Sequence, residues 1–157
     1  MRITSAIPEL PPSKVRQALR GLPTAERYEL IVKPLRYRKR PHLAAMTDFS
    51  ARQVILQVPE PFFPFREIVP YGAKRAAGKQ IRFLWLSEGV NFRTPREVLR
   101  FLYCHEWMHW YLRERLGQRS AAETACDRFA LRNYRRTFVT EVDAEAALRA
   151  RRSPRRS

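Results

Sequence analysis

Histidine is scarce in this chain, and so are cysteine, glycine and lysine. Its 157 residues hold three histidines, two cysteines and five glycines, and only 5 of the 31 basic side chains are lysine. The two cysteines, Cys104 and Cys126, are not spaced as a Cys-x-x-Cys pair. That leaves no disulfide framework, and both thiols read as small buried hydrophobes in a reducing compartment. No stretch approaches about 18 uninterrupted apolar residues, so no membrane-spanning helix is expected. The first ten residues lack the apolar run of a secretory signal. A cytoplasmic chain with no membrane partner is the expectation, and no internal repeat interrupts it.

Apolar residues make up 45% of the chain and aromatics 11%, enough for one domain to fill one core. The expected organisation is a flexible, proline-punctuated N-terminus over 1–12, a single domain over 13–150, and an arginine-rich flexible tail over 151–157. Acidic residues number 15 against 31 basic ones, a net charge of +16. Guanidinium binds phosphate bidentately and each contact releases counterions, so this excess favours nucleic acid as a partner. A solvated arginine-rich surface accounts for it equally well. The local phosphate-contact candidates are Arg36, Arg38, Lys39 and Arg40, in the run ended by Pro41, and Lys74 and Arg75, in the basic loop 72–80. A charged strand edge that resists aggregation is the ordinary reading of the first run. Oligomeric state is not encoded in any of these features.

A β-rich first half and a helical second half are expected. Ser13 can cap a short helix over 14–20 that ends at Gly21, whereas 28–32 fits either a strand or a helix end. Residues 42–46 and 52–58 read as a strand, turn, strand unit, and 65–71 with 80–86 as a second hairpin around the basic loop. A long helix should then start at Thr94, with Pro95 at its first position and Glu97 three residues past the cap, and stop at Gly117. Its apolar residues run almost all the way round, as in a helix buried on most sides. A second helix has Ser120 and Glu123 as a capping box, and a third begins near Thr140.

Inside the long helix lies Cys104-His105-Glu106-Trp107-Met108-His109-Trp110. Two of the three histidines stand at i and i+4 and therefore share one helical face. Such a pair can take two corners of a tetrahedral Zn²⁺ site, while Glu106, next to the first, can reach a metal-bound water as general base. Glutamate and histidine are costly to bury without partners, and a metal is one such partner. Glu123 is the favoured third ligand, on the helix that turns back after Gly117. His42 and a purely capping role for Glu123 are the competing assignments. Asp127, four residues beyond Glu123, shares its face and can accept the other ring N–H of His105. Tyr103, Tyr111 and Tyr134 are candidates to stabilise an oxyanion, and each fits a core aromatic as well.

His105-Glu106-Trp107-Met108-His109 followed by Glu123-Thr-Ala-Cys-Asp127 resembles the gluzincins, the thermolysin-like clan of zinc metallopeptidases, in compact form. The order of the segments is similar to that of small zincins such as the minigluzincin, SprT-like and ImmA/IrrE-like domains. The resemblance implies an α+β zincin-like domain, with a twisted, mostly antiparallel sheet packed on the active-site helix and further helices after it. It implies that His105, His109 and Glu123 bind zinc, that Glu106 is the base, and that Asp127 orients His105. It further implies a peptide or protein substrate laid along a sheet edge, which the order of segments assigns to 80–86. The reading of another class is a nucleic-acid-binding or regulatory protein on the same fold, with a structural or vestigial zinc.

Overall fold

Residues 1–76, 82–119 and 122–152 are described by the computed structural model, an α+β arrangement of six strands and four helices among those residues. The order is β1 (Ile3–Ser5), α1 (Pro12–Ala18), β2 (Glu29–Leu35), β3 (Ala44–Asp48), β4 (Gln53–Pro59), β5 (Phe65–Ala76), β6 (Arg82–Phe92), α2 (Pro95–Trp110), α3 (Glu123–Asn133) and α4 (Glu141–Arg152). Strands β1 to β4 form one sheet in the order β1-β2-β4-β3, and β5 with β6 forms a separate antiparallel ribbon.

The four-stranded sheet is mixed, which corrects the expected mostly antiparallel one. β1 runs parallel to β2 and β2 parallel to β4, whereas only β3 runs antiparallel to β4. The difference begins at the N-terminus, which is a strand where a flexible end was expected. Ile3, Thr4 and Ser5 pair with Leu30, Ile31 and Val32, and Ile7 is buried just beyond them. A three-residue strand is too short to carry a period-2 signal, and its partner lies across a helical crossover, as parallel pairing requires. The alternation of β2 and β4 is plain once paired: Leu30, Val32, Val54 and Leu56 are fully buried on one face.

The buried stretch of α2 is the centre of the core. Thr94 Oγ accepts the Glu97 N–H at 3.2 Å, as the sequence predicts, and Glu97 in turn accepts the Arg93 N–H. Its aromatic residues do two jobs, filling space and holding a loop. Tyr103 Oη donates to the Pro23 carbonyl, Trp107 Nε1 to Thr24 and Trp110 Nε1 to Glu26, so three amphipathic side chains staple 23–26 to the helix. Trp107 also stacks on Phe129 of α3 at 5.3 Å. After Trp110 the helix widens into a π-helical turn, Tyr111–Arg115, and closes at Gly117 with φ +68°.

α3 returns antiparallel to α2, because its first residue lies by His105 and His109 while Tyr134, just past its end, packs on Phe101. Its N-cap position is Ala122, with no side-chain cap, and the expected cap residue Ser120 lies outside the described residues. Glu123 is therefore the first helical residue, and its carboxylate is spent on the histidines.

At the other end of α2, Arg100 is only 3% exposed and donates to four backbone carbonyls. Those of Ala18 and Arg20 close α1, and those of Tyr134 and Arg136 close α3. One guanidinium thus caps two helix C-termini, where carbonyls lack intrahelical donors and the dipole is negative. Gly21 locks the same corner. Its φ of +88° suits glycine, and a Cβ there would meet the Thr137 carbonyl oxygen at 1.8 Å.

The arginine-rich tail begins inside α4, which runs to Arg152, and 153–157 lie outside the described residues. No helix of the described residues is long and apolar enough to cross a membrane.

Candidate metal centre

The i, i+4 spacing on α2 brings the two imidazoles to one side, with ring centroids 5.0 Å apart. Both are mostly covered, each side chain 13% exposed. Antiparallel α3 then delivers its carboxylates. Glu123 sets Oε1 3.0 Å from His105 Nε2 and Oε2 2.8 Å from His109 Nε2, so one carboxylate spans both rings. Asp127, one turn on, reaches the opposite nitrogen of His105, with Oδ1 2.7 Å from Nδ1. Four of the residues singled out from the sequence therefore meet: His105, His109, Glu123 and Asp127.

Glu106 is the fifth. It is 5% exposed, with Oε2 3.9 Å from His105 Nε2. Sequence reasoning missed its partner, Thr47, whose hydroxyl donates to Glu106 Oε1 at 2.8 Å. Thr47 stands 59 residues upstream on β3, and no local pattern links the two. What could have found it is the strand reading itself, since Thr47 sits where the first strand of that unit reaches its turn.

The electrostatics follow from this enclosure. Burial works against a charged His105, but hydrogen bonds to Asp127 and Glu123 and the nearby Glu106 charge outweigh it and raise its pKa to about 10. The Glu123 carboxylate is held below its ordinary range, first by its hydrogen bond to His105. Burial moves Glu106 the other way, upward, partly offset by the histidines and Thr47.

The cleft in front of these groups has a volume of about 330 Å³. One wall is β3, through Ala45, Met46 and Thr47, and another is the end of α2 with Arg113 and Arg119. β3 pairs only with β4 among the described residues, so its outer edge is free. Of the strand assigned to substrate, 80 and 81 lie outside the described residues and the rest is part of β6 in the separate ribbon, so β3 is the strand that lines the cleft among the described residues. The three tyrosines follow their core reading. Tyr103, Tyr111 and Tyr134 are each at most 4% exposed and none lines the cleft.

His42 lies on an exposed loop with Nδ1 3.5 Å from the Arg40 carbonyl, and it is not among the residues that line the cleft. Arg36, Arg38, Lys39 and Arg40 are exposed in the loop after β2, not on a strand edge, and Arg36 lies 3.8 Å from Glu60. Lys74 and Arg75 fall on β5, and their side chains lie outside the described residues.

The donor set suits a divalent cation of zinc type: two imidazole nitrogens and a carboxylate converge on one point at a cleft, and the Nδ1 of one ring is already held by a carboxylate. Cys126 is a rival donor. One ligand atom from each of His105, His109 and Cys126 lies within 4.8 Å of the others. Its thiol is fully buried, and burial among carboxylates pushes its ionisation up. Glu123 touches both rings directly, and its hydrogen bond to His105 keeps its carboxylate ionised. Comparison with protein-family models, with curated proteins and with solved structures gave no match.

Proposed function

We propose that this chain is a zinc-dependent peptidase in which His105, His109 and Glu123 hold the metal. The observation that carries the reading is the single carboxylate of Glu123 spanning both Nε2 atoms, with Glu106 beside them at the cleft. A bound zinc would supply a coordinated water acidified to near neutrality and would polarise the scissile carbonyl. The protein's own groups supply the rest. Glu106 is the general base and then the acid to the leaving amine: Thr47 fixes one oxygen and leaves the other free, and burial raises its proton affinity toward the working range. Asp127 holds His105 by Nδ1 and so selects the tautomer with a free Nε2. The free edge of β3 supports a peptide bound as an added strand.

This function would make the chain similar in mechanism to the gluzincins that its motif resembles. Digestion of a mixed peptide library with the zinc-loaded protein should give new termini by mass spectrometry, and Glu106→Gln should abolish them while keeping zinc. Absence of products, or a Glu106→Gln protein of unchanged rate, would overturn the assignment.

Cys126 favours one second reading. If its thiolate joins the histidines and Glu123, four protein ligands close the centre, and the protein is a binding or regulatory module with a structural metal on this fold. A cobalt-substituted protein separates the two, since a thiolate ligand gives an intense near-ultraviolet charge-transfer band and a nitrogen and oxygen set does not.

A further inference from the structure

A second cleft, of about 670 Å³, opens around the first turns of α2 and collects the basic side chains Lys14, Arg20, Arg96, Arg100, Arg135 and Arg136. No carboxylate lines it. Arg135 and Arg136 have acidic neighbours outside the cleft, Glu97 at 3.8 Å and Asp143. Lys14, Arg20 and Arg96 are exposed and have no ion-pair partner among the described residues.

The corner is built to stay positive. The C-termini of α1 and α3 both end here, and their carbonyls would ordinarily repel an anion. Arg100 donates to four carbonyls at this corner, that of Ala18 at the end of α1 and those of Arg20, Tyr134 and Arg136 just past the two helices. A buried cation thereby offsets the negative ends from inside, while Lys14, Arg20 and Arg96 face solvent with no ion-pair partner among the described residues. Phe138, next in sequence to the lining residue Thr137, is 69% exposed, a flat ring with no core to fill.

We propose that this cleft binds the phosphodiester backbone of a single nucleic-acid strand, with Phe138 as a stacking platform at its rim. Guanidinium pairs bidentately with phosphate, and a basic groove bordered by an aromatic ring is the recurrent arrangement for sequence-tolerant strand binding. The only neutral polar side chains of the lining are Gln17 and Thr137, which offer little for reading base edges or enclosing a nucleotide. The site is independent of the peptidase reading. Nine residues separate Arg96 from His105, and at about 100° per residue that is half a turn out of phase, so the two clefts lie on opposite faces of α2. A bound strand leaves the peptide cleft open.

The test is fluorescence anisotropy of a labelled oligothymidylate with the full chain, over a range of salt. Lys14→Ala/Arg20→Ala/Arg96→Ala should bind at least about tenfold more weakly. Its salt slope should fall by about 2, because each phosphate left unneutralised on a single strand takes away roughly 0.7. Arg36→Ala/Arg38→Ala/Arg40→Ala removes the same charge elsewhere and should change affinity less than about threefold. Arg96→Ala alone should show part of the loss with an unchanged circular dichroism spectrum. Equal weakening by both triple variants would mean diffuse charge, and a larger effect of the second would move the site; either result overturns the proposal. Displacement of the strand by ATP at matched phosphate concentration would make the ligand a small phosphate compound and overturn the strand.

Discussion

The two ends of α2 each bury charged side chains, and they do so in opposite ways. Toward the N-terminus, Arg100 spends its donors on four carbonyls of the backbone, and the corner where α1 and α3 end is fixed by it. Toward the C-terminus, His105, His109 and Glu106 are met by side chains, Glu123, Asp127 and Thr47, and keep one face on an open cleft. Backbone partners cannot move without unfolding something, so the first arrangement is scaffold. Side-chain partners can exchange with a cation or a substrate at small cost, so the second can do chemistry. Helix α3 ties the two together, since its first turn carries Glu123 and the carbonyls just past its end, of Tyr134 and Arg136, accept from Arg100.

The sharpest way to break this contrast is to cut one end and watch the other. Arg100→Met should be the most damaging substitution, because a buried carbonyl that loses its donor costs about 1–3 kcal/mol and four lose theirs at once. With partial rescue by water, a loss of roughly 3–5 kcal/mol is expected in thermal or urea unfolding. Glu106→Gln should do the reverse, lowering hydrolysis by about 10²–10⁴-fold with no loss of melting temperature, since burial already disfavours the charged form. Asp127→Asn should weaken zinc about 10–100-fold in a competition titration while the fold persists. Thr47→Val should lower kcat by roughly tenfold and leave zinc content unchanged, as expected of a group that only orients Glu106.

The smallest effect belongs to the rim of the scaffold end. Asp143 accepts the Thr140 N–H and pairs with Arg136, and although burial opposes its charge these contacts hold its pKa below the usual range. A depressed carboxylate stabilises above its unfolded pKa and loses that contribution as pH falls through the folded value. Asp143→Asn should therefore cost about 1 kcal/mol or less at pH 7, allowing for solvent screening, and the difference should fade as pH falls through the depressed folded value.

The motif end was largely legible in the sequence. His105, Glu106, His109, Glu123 and Asp127 follow the 3.6-residue period of two helices, and a glycine-closed turn between them fixes how they meet. Thr47 and the β3 edge were not legible, because they come from a strand 59 residues away whose neighbour is set by sheet order. Period-2 patterning identifies strands but not their order or direction, which is why the parallel pairing of β1 and the mixed sheet were missed. Arg100 was hidden for another reason. An arginine among 26 carries no signal of burial, and its partners are carbonyls, which every residue has.

The central claim is that Glu123, not Cys126, completes the centre with the two histidines. X-ray absorption at the zinc edge of the purified full chain tests it most directly. The account predicts one zinc per chain with nitrogen and oxygen neighbours only, lost on Glu123→Ala and retained on Cys126→Ala. A sulfur neighbour at about 2.3 Å, or a chain that takes up no stoichiometric zinc, would contradict it.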